Sequence, residues 1–181
     1  LLEEGLAGYI NTTGQLLGTG TKTRTKAQID EEVDFIGANL NSSATSINGS
    51  CLSKNTEKLF EIISDIILNS EFKQEELDKI KTQTLSGLAS AKDDPQAISG
   101  RVKKVVLYGK DHPYGEIETE ETIKAITLEA CTNYYKKYFV PNISYLAIVG
   151  DITFDNAKEM VTKYLGGWER KEVEKTKLKD V

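Results

Sequence analysis

Asn39-Leu40-Asn41-Ser42-Ser43-Ala44-Thr45-Ser46-Ile47-Asn48-Gly49-Ser50-Cys51 is the stretch that decides the fold class. It is rich in Ser, Thr and Asn, and its apolar residues alternate weakly instead of recurring every three or four positions. Leu40 and Ala44 fall on one face, and Ile47, Gly49 and Cys51 on another. That pattern predicts two short strands joined by a tight connection.

Outward from this stretch the period changes to that of helices. Upstream, Thr25-x-x-Gln28 is a capping box, followed by the stripe Ile29, Val33 and Ile36 and the terminator Gly37. Before it, Leu2, Leu6, Ile10, Thr13 and Leu17 predict an opening helix ending near Gly18, weakened by Gly5, Gly8 and Gly14. Thr19 to Lys26 reads as a polar loop. Downstream, Asn55 is the expected cap of a helix lined by Leu59, Ile62, Ile63, Ile66 and Ile67. A longer helix carries Leu77, Ile80, Thr84, Leu88 and Ala91. Asp93-Asp94-Pro95 breaks it and starts another, with Pro95 in the first turn and Gly109 at the end. Thr119 and Thr127 open two further helices.

Ile143 to Val149 is nearly continuous in apolar and β-branched residues and predicts a buried strand. A last helix follows with Ala157, Met160, Val161 and Tyr164, closed by Gly166-Gly167-Trp168. Strands are thus segregated from most helices, which implies an α+β class and not a doubly wound sheet. Three strands make a thin sheet, so further strands are expected from a portion N-terminal to this sequence, and an exposed edge invites pairing with another chain. The expected division is one domain over 1–168 and the start of a charged linker over 169–181.

The length of 181 residues suits one domain with a core of its own. A net charge of −5 disfavours a nucleic-acid surface, which needs a basic face. No apolar run is long enough to span a bilayer. The sequence opens on Leu1-Leu2 without Met and reads as a fragment, so targeting is not legible; the expected compartment, if any, is a bacterial periplasm or cell envelope.

Candidate chemistry is sparse. The Gly14 to Thr23 stretch superficially resembles a phosphate loop, but Thr21, and not Gly, precedes Lys22, and no strand leads in. A single histidine, His112, and two cysteines far apart, Cys51 and Cys131, do not make a zinc site in this segment. A Cys–His nucleophile pair stays open, though both cysteines fall on apolar faces. Glu116, Glu118, Glu120 and Glu121, with Asp93 and Asp94, lack the alternation of a calcium loop. Tyr134, Tyr135 and Tyr138 read as helical packing. From the residues alone, no catalytic constellation emerges.

A series of short motifs, in order, resembles the family of pitrilysin, insulin-degrading enzyme and the mitochondrial processing peptidase. The series is Gly5-Leu6-Ala7, Leu17-x-Thr19-Gly20-Thr21, Asp34-x-x-Gly37-Ala38-x-Leu40, Leu68-Asn69-x-x-Phe72 and Asp93-Asp94-Pro95. It continues with His112-Pro113-Tyr114-Gly115, Tyr138-Phe139-x-Pro141-Asn142, Val149-Gly150-Asp151 and Gly167-Trp168. The resemblance covers residues 5 to about 170. In active members Gly-Leu-Ala is followed by H-x-x-E-H, with two zinc-binding histidines and a glutamate base between them. Here the matching positions are Gly8, Asn11 and Thr12. Counted back from Asp93-Asp94-Pro95, the position of the third, glutamate ligand falls on Gly87, and that of a supporting glutamate on Ile80.

The resemblance therefore implies a family domain without catalytic residues, cofactor or metal of its own, with zinc expected only in an active partner domain. The implied partners are a homologous domain or subunit and a peptide substrate, with no nucleic acid and no membrane span in this segment. Two placements fit: a subunit paired with an active homologue, or the metal-free half of an active chain. A purely structural assembly module is the third alternative.

Overall fold

The computed structural model describes residue 3 and residues 5–174. Helices dominate it. In chain order they are α1 (Tyr9–Leu16), α2 (Lys26–Phe35), α3 (Thr56–Asn69), α4 (Gln74–Ser90), α5 (Pro95–Tyr108), α6 (Glu120–Ala125), α7 (Leu128–Tyr138) and α8 (Phe154–Leu165). Strands β1 (Asn39–Ser42) and β2 (Ile47–Ser50) form an antiparallel hairpin between α2 and α3.

Most helix starts follow the residues that satisfy their free N–H groups. Thr25 and Gln28 form both bonds of the capping box of α2. Asp94 accepts from the Gln96 amide ahead of Pro95, and Thr119 and Thr127 cap α6 and α7. Asn55 behaves differently. Its side chain makes no bond to the start of α3 and instead donates to the Ile36 carbonyl oxygen at 2.7 Å, tying the end of α2 to the start of α3.

Three further expectations are corrected. The opening helix is shorter than its spacing suggests, because Gly8 is left-handed at φ +101° and helical geometry begins only at Tyr9. Leu6 thus lies outside α1, and Leu2 lies outside the described residues. In the hairpin, Leu40 pairs with Gly49 and Ser42 with Ile47, so these residues share one face and do not divide between two. Leu40, Ile47 and Cys51 all pack toward the same core. The third correction is Ile143–Val149, which is not a strand. No described strand pairs with it, and Tyr145 and Val149 are almost wholly exposed. A strand has no hydrogen bonds of its own to make; without a neighbour, apolar β-branched sequence alone does not fold into one.

The core has two parts. Leu17, Ile29, Val33, Ile36, Leu59, Ile62 and Ile66 join α2, α3 and the hairpin. Leu16, Leu77, Ile80, Ile123, Ile126 and Cys131 join α1, α4, α6 and α7. Leu16 and Leu17, adjacent at the end of α1, feed one cluster each, so this short helix is the hinge point of both. Its fit against the hairpin is close: a Cβ on Gly14 would come within 2.2 Å of the Ala44 nitrogen. Ser42 Oγ meets the carbonyl oxygens of Gly14 at 2.9 Å and Leu17 at 2.8 Å, satisfying the otherwise free end of α1.

Candidate functional site

The start of α1 carries the positions that matter most. With no capping side chain on Gly8, the helix is capped from outside: the Glu3 carboxylate accepts from the amides of Gly8 at 2.5 Å and Ile10 at 2.9 Å. The loop before α6 wraps over the same end. Glu116 accepts from the Glu3 amide at 2.7 Å, and Thr122 donates to the Ala7 carbonyl at 2.9 Å. Glu118 Oε1 accepts from Asn11 Nδ2 at 3.0 Å, while the Glu118 carbonyl accepts from Arg101 at 3.0 Å.

Gly8, Asn11 and Thr12 line one hollow together with Ser42, Thr84 and Glu118, of about 280 Å³. Gly87 does not join them. It is exposed on α4 with nothing within 4 Å of a Cβ placed on it, and Thr84, one turn earlier, is the α4 residue at the hollow. Ile80 is buried in the second core cluster. The hollow therefore offers one carboxylate, the amides of Asn11 and Gln15, and hydroxyls. Zinc takes histidine, cysteine and carboxylate ligands, several at once, so this donor set does not fit it. Among the described residues no group of three or more His, Cys, Asp or Glu side chains could hold a metal ion. Asn11 itself is no base for activating water, since an amide does not accept a proton near neutral pH; the one carboxylate at the hollow, Glu118, accepts from it.

Burial is the largest effect on Glu3 and pushes its carboxyl up; the bonds from Gly8 and Ile10 oppose it, and Glu116 and Glu118 add to the rise. Beside it, Tyr9 and Tyr134 are pushed up to about 12, chiefly by burial. Their rings meet edge to face at 5.8 Å, and Tyr134 and Tyr138 lie 4.9 Å apart. The Tyr134 hydroxyl donates to the Ala44 carbonyl at 3.1 Å. Tyr135 is not part of this group, for its hydroxyl donates to Ile67 at 2.8 Å in the other core cluster.

The remaining candidates are dispersed. His112 is buried in its turn, accepting from the Tyr114 amide at 3.2 Å and stacked on Tyr108 at 5.5 Å. Cys131 is buried in the second core cluster, where desolvation pushes its thiol up, and Cys51 is half-buried under the hairpin. The structure does not bring either to His112. Thr21 and Thr23, in the stretch like a phosphate loop, turn their hydroxyls to Asp65 at 2.7 and 2.8 Å. Glu120 pairs with Lys124 at 2.6 Å, and Asp94 is a helix cap.

Two features escaped the sequence. One is Glu118 as the partner of Asn11, 107 positions away, for which no local spacing gives a signal. The other is Arg24, which pairs with Glu32 at 3.1 Å, Asp65 at 2.8 Å and Glu61. Arg24 lies in a stretch otherwise legible only as a polar loop.

Two family models match the chain: insulinase (peptidase family M16) over residues 4–107, and the peptidase M16 inactive domain over residues 125–181. An uncharacterized zinc protease of Rickettsia bellii is 32% identical over 156 residues, covering 83% of this chain and 37% of that protein. A probable mitochondrial-processing peptidase subunit beta of Arabidopsis thaliana is 25% identical over 159 residues, covering 80% and 28%. The crystal structure of a peptidase M16 inactive domain from Pseudomonas fluorescens superposes with a TM-score of 0.81 at 19% identity, covering 95% of this chain and 43% of that one. The chain thus spans less than half the length of these relatives. No helix among the described residues is long and apolar enough to cross a membrane.

Proposed function

Because the chain belongs to the insulinase (M16) peptidase family, we propose that it is a non-catalytic domain of that family, which forms a peptide-binding chamber with a homologous, catalytically competent domain or subunit. The single observation that carries this reading is the hollow at the start of α1. Glycine and threonine stand at the expected ligand positions 8 and 12, and the Asn11 amide is tied to Glu118 where the family has its base. Zinc, polarised water and general base would all come from the partner.

What this chain would supply is enclosure and backbone recognition. Among the described residues β1 pairs only with β2, so its outer edge is free, and Ser42 on it borders the hollow. An extended peptide laid along such an edge is gripped by main-chain groups with little demand on its sequence. A second placement, as the metal-free half of an active chain, draws support from the match of residues 125–181 to the inactive-domain model.

Peptide hydrolysis separates the readings. The full-length protein is assayed alone and then mixed with a homologue carrying an intact H-x-x-E-H. Activity only in the mixture is the expected result for a partner subunit. Zinc-dependent cleavage by the full-length protein alone fits the second placement. Neither partner binding nor an effect on peptide cleavage would sink the chamber role and leave a structural assembly module.

A further inference from the structure

The space that a metal ligand at position 8 would need is already filled. Gly8 is left-handed, at φ +101° and ψ −9°, so a side chain there would be strained before it met anything. It would also collide. A Cβ would lie 2.7 Å from Ile123 Cδ1 and 3.1 and 3.2 Å from Cγ and Cδ of Glu118. Both are ends of side chains: moving Ile123 disturbs the core, and moving Glu118 breaks its exposed bond to Asn11. Ile123 is 1% exposed and packed against Leu16, Leu77, Ile80 and Cys131. Glu118 is held by Asn11 at its carboxylate and by Arg101 at its carbonyl. An imidazole is far larger than a methyl group. At Gly87, by contrast, a Cβ would meet nothing, so the obstruction is local to the start of α1.

We propose that Glu118 and Ile123 have closed the metal position itself, so that restoring the ligand residues does not restore a zinc site. The inference rests on the non-catalytic reading above and goes beyond it. A site that had merely lost its ligands would regain zinc once they were put back; a closed one would not.

The test compares two variants of the full-length protein. One carries Gly8→His, Asn11→Glu, Thr12→His and Thr84→Glu, the last at the α4 position that the structure brings to the hollow. The other adds Glu118→Ala and Ile123→Val, which remove the colliding atoms at modest cost to the core. Zinc affinity is read by competition with a chelating dye. The second variant is expected to bind about 10–100-fold more tightly, the range over which displaced metal surroundings act. Equal affinity, whether both bind or neither does, would overturn the proposal. If these variants fail to fold, single alanines decide. Gly8→Ala is made in the native protein and in the Glu118→Ala/Ile123→Val background. Left-handed strain is common to both, so only the collision differs, and the loss of Tm is expected to be larger by about 3 °C in the native background. Equal losses would contradict the claim. Zinc held at positions 8, 11 and 12 of the unaltered protein would instead sink the non-catalytic reading, so the two failures are distinguishable.

Discussion

Two clusters of carboxylates in this protein have opposite electrostatics. In the first, Glu32, Glu61 and Asp65 surround Arg24, with Lys58 adding pairs to Glu32 and Glu61. There the Lys58 hydrogen bond is the largest effect on Glu32 and holds its carboxyl below the usual range. Burial pushes Asp65 up, but bonds from Thr21, Asn69, Arg24 and Thr23 outweigh it, and its carboxyl too ends low. In the second, Glu3, Glu116 and Glu118 gather at the start of α1 with no ion pair among the described residues, and the carboxyl of Glu3 ends high. The first cluster is a structural tie between α2, α3 and the loop before them. The second gathers at the start of α1, around the positions where the family resemblance places zinc ligands, and Glu118 lines a hollow whose donor set does not fit zinc. Acidic residues close together in space, then, do not by themselves identify a metal site; what neutralises them does.

The comparison can be broken most forcefully at Arg24. Arg24→Met leaves three carboxylates without their shared partner, and Arg24 is only 15% exposed. The expected loss is about 2–4 kcal/mol in urea denaturation at pH 7, at the lower end because Glu61 remains partly solvated. At pH 3 the penalty should shrink, since protonated carboxyls no longer need the cation. A loss below about 0.5 kcal/mol at pH 7, the level of an ordinary surface pair, would remove the distinction between the clusters.

Titration of the native protein sharpens it. Glu32 and Asp65, with lowered carboxyls, contribute stability that is present above their unfolded values of 4.5 and 3.8 and lost as pH falls below them. Glu3 has the opposite sign. Its contribution is full below 4.5 and is lost as pH rises through its raised folded value. Glu3→Gln should therefore leave the acid loss intact and flatten the stability profile just above pH 4.5, with a change of less than about 1 kcal/mol at pH 7. A variant that abolished the acid loss would assign the wrong cluster to it.

The smallest effect belongs to Asn11→Ala. It removes one exposed amide–carboxylate bond to Glu118 and is expected to cost about 0.5 kcal/mol. In the mixed assay with an active homologue it should leave the rate of peptide cleavage unchanged. A fall in rate would give Asn11 a part in the chemistry that its hydrogen bond to Glu118 does not suggest.

Local structure was readable because its causes are local. Thr25 with Gln28, Asp94 with Pro95, Thr119 and Thr127 each act within three residues of themselves, and spacing is enough to find them. Family membership was readable from the ordered series of short motifs. What stayed hidden depends on partners distant in sequence. Ile143–Val149 has the composition of a strand, but a strand exists only beside another. Leu6 has helical spacing with Ile10, but the backbone of Gly8 interrupts the helix between them. Asn11 is recognisable as a departure from H-x-x-E-H, whereas Glu118 as its hydrogen-bond partner and as the neighbour of Gly8 required the fold.

Zinc analysis of the full-length protein, native and with Asn11→Ala and Thr12→Val together, tests the central claim most directly. The expected result is a zinc content that these substitutions do not change, whether that content is zero or reflects a site elsewhere in the protein. Stoichiometric zinc in the native protein that is lost with Asn11 and Thr12 would contradict the claim and return this hollow to the catalytic members of the family.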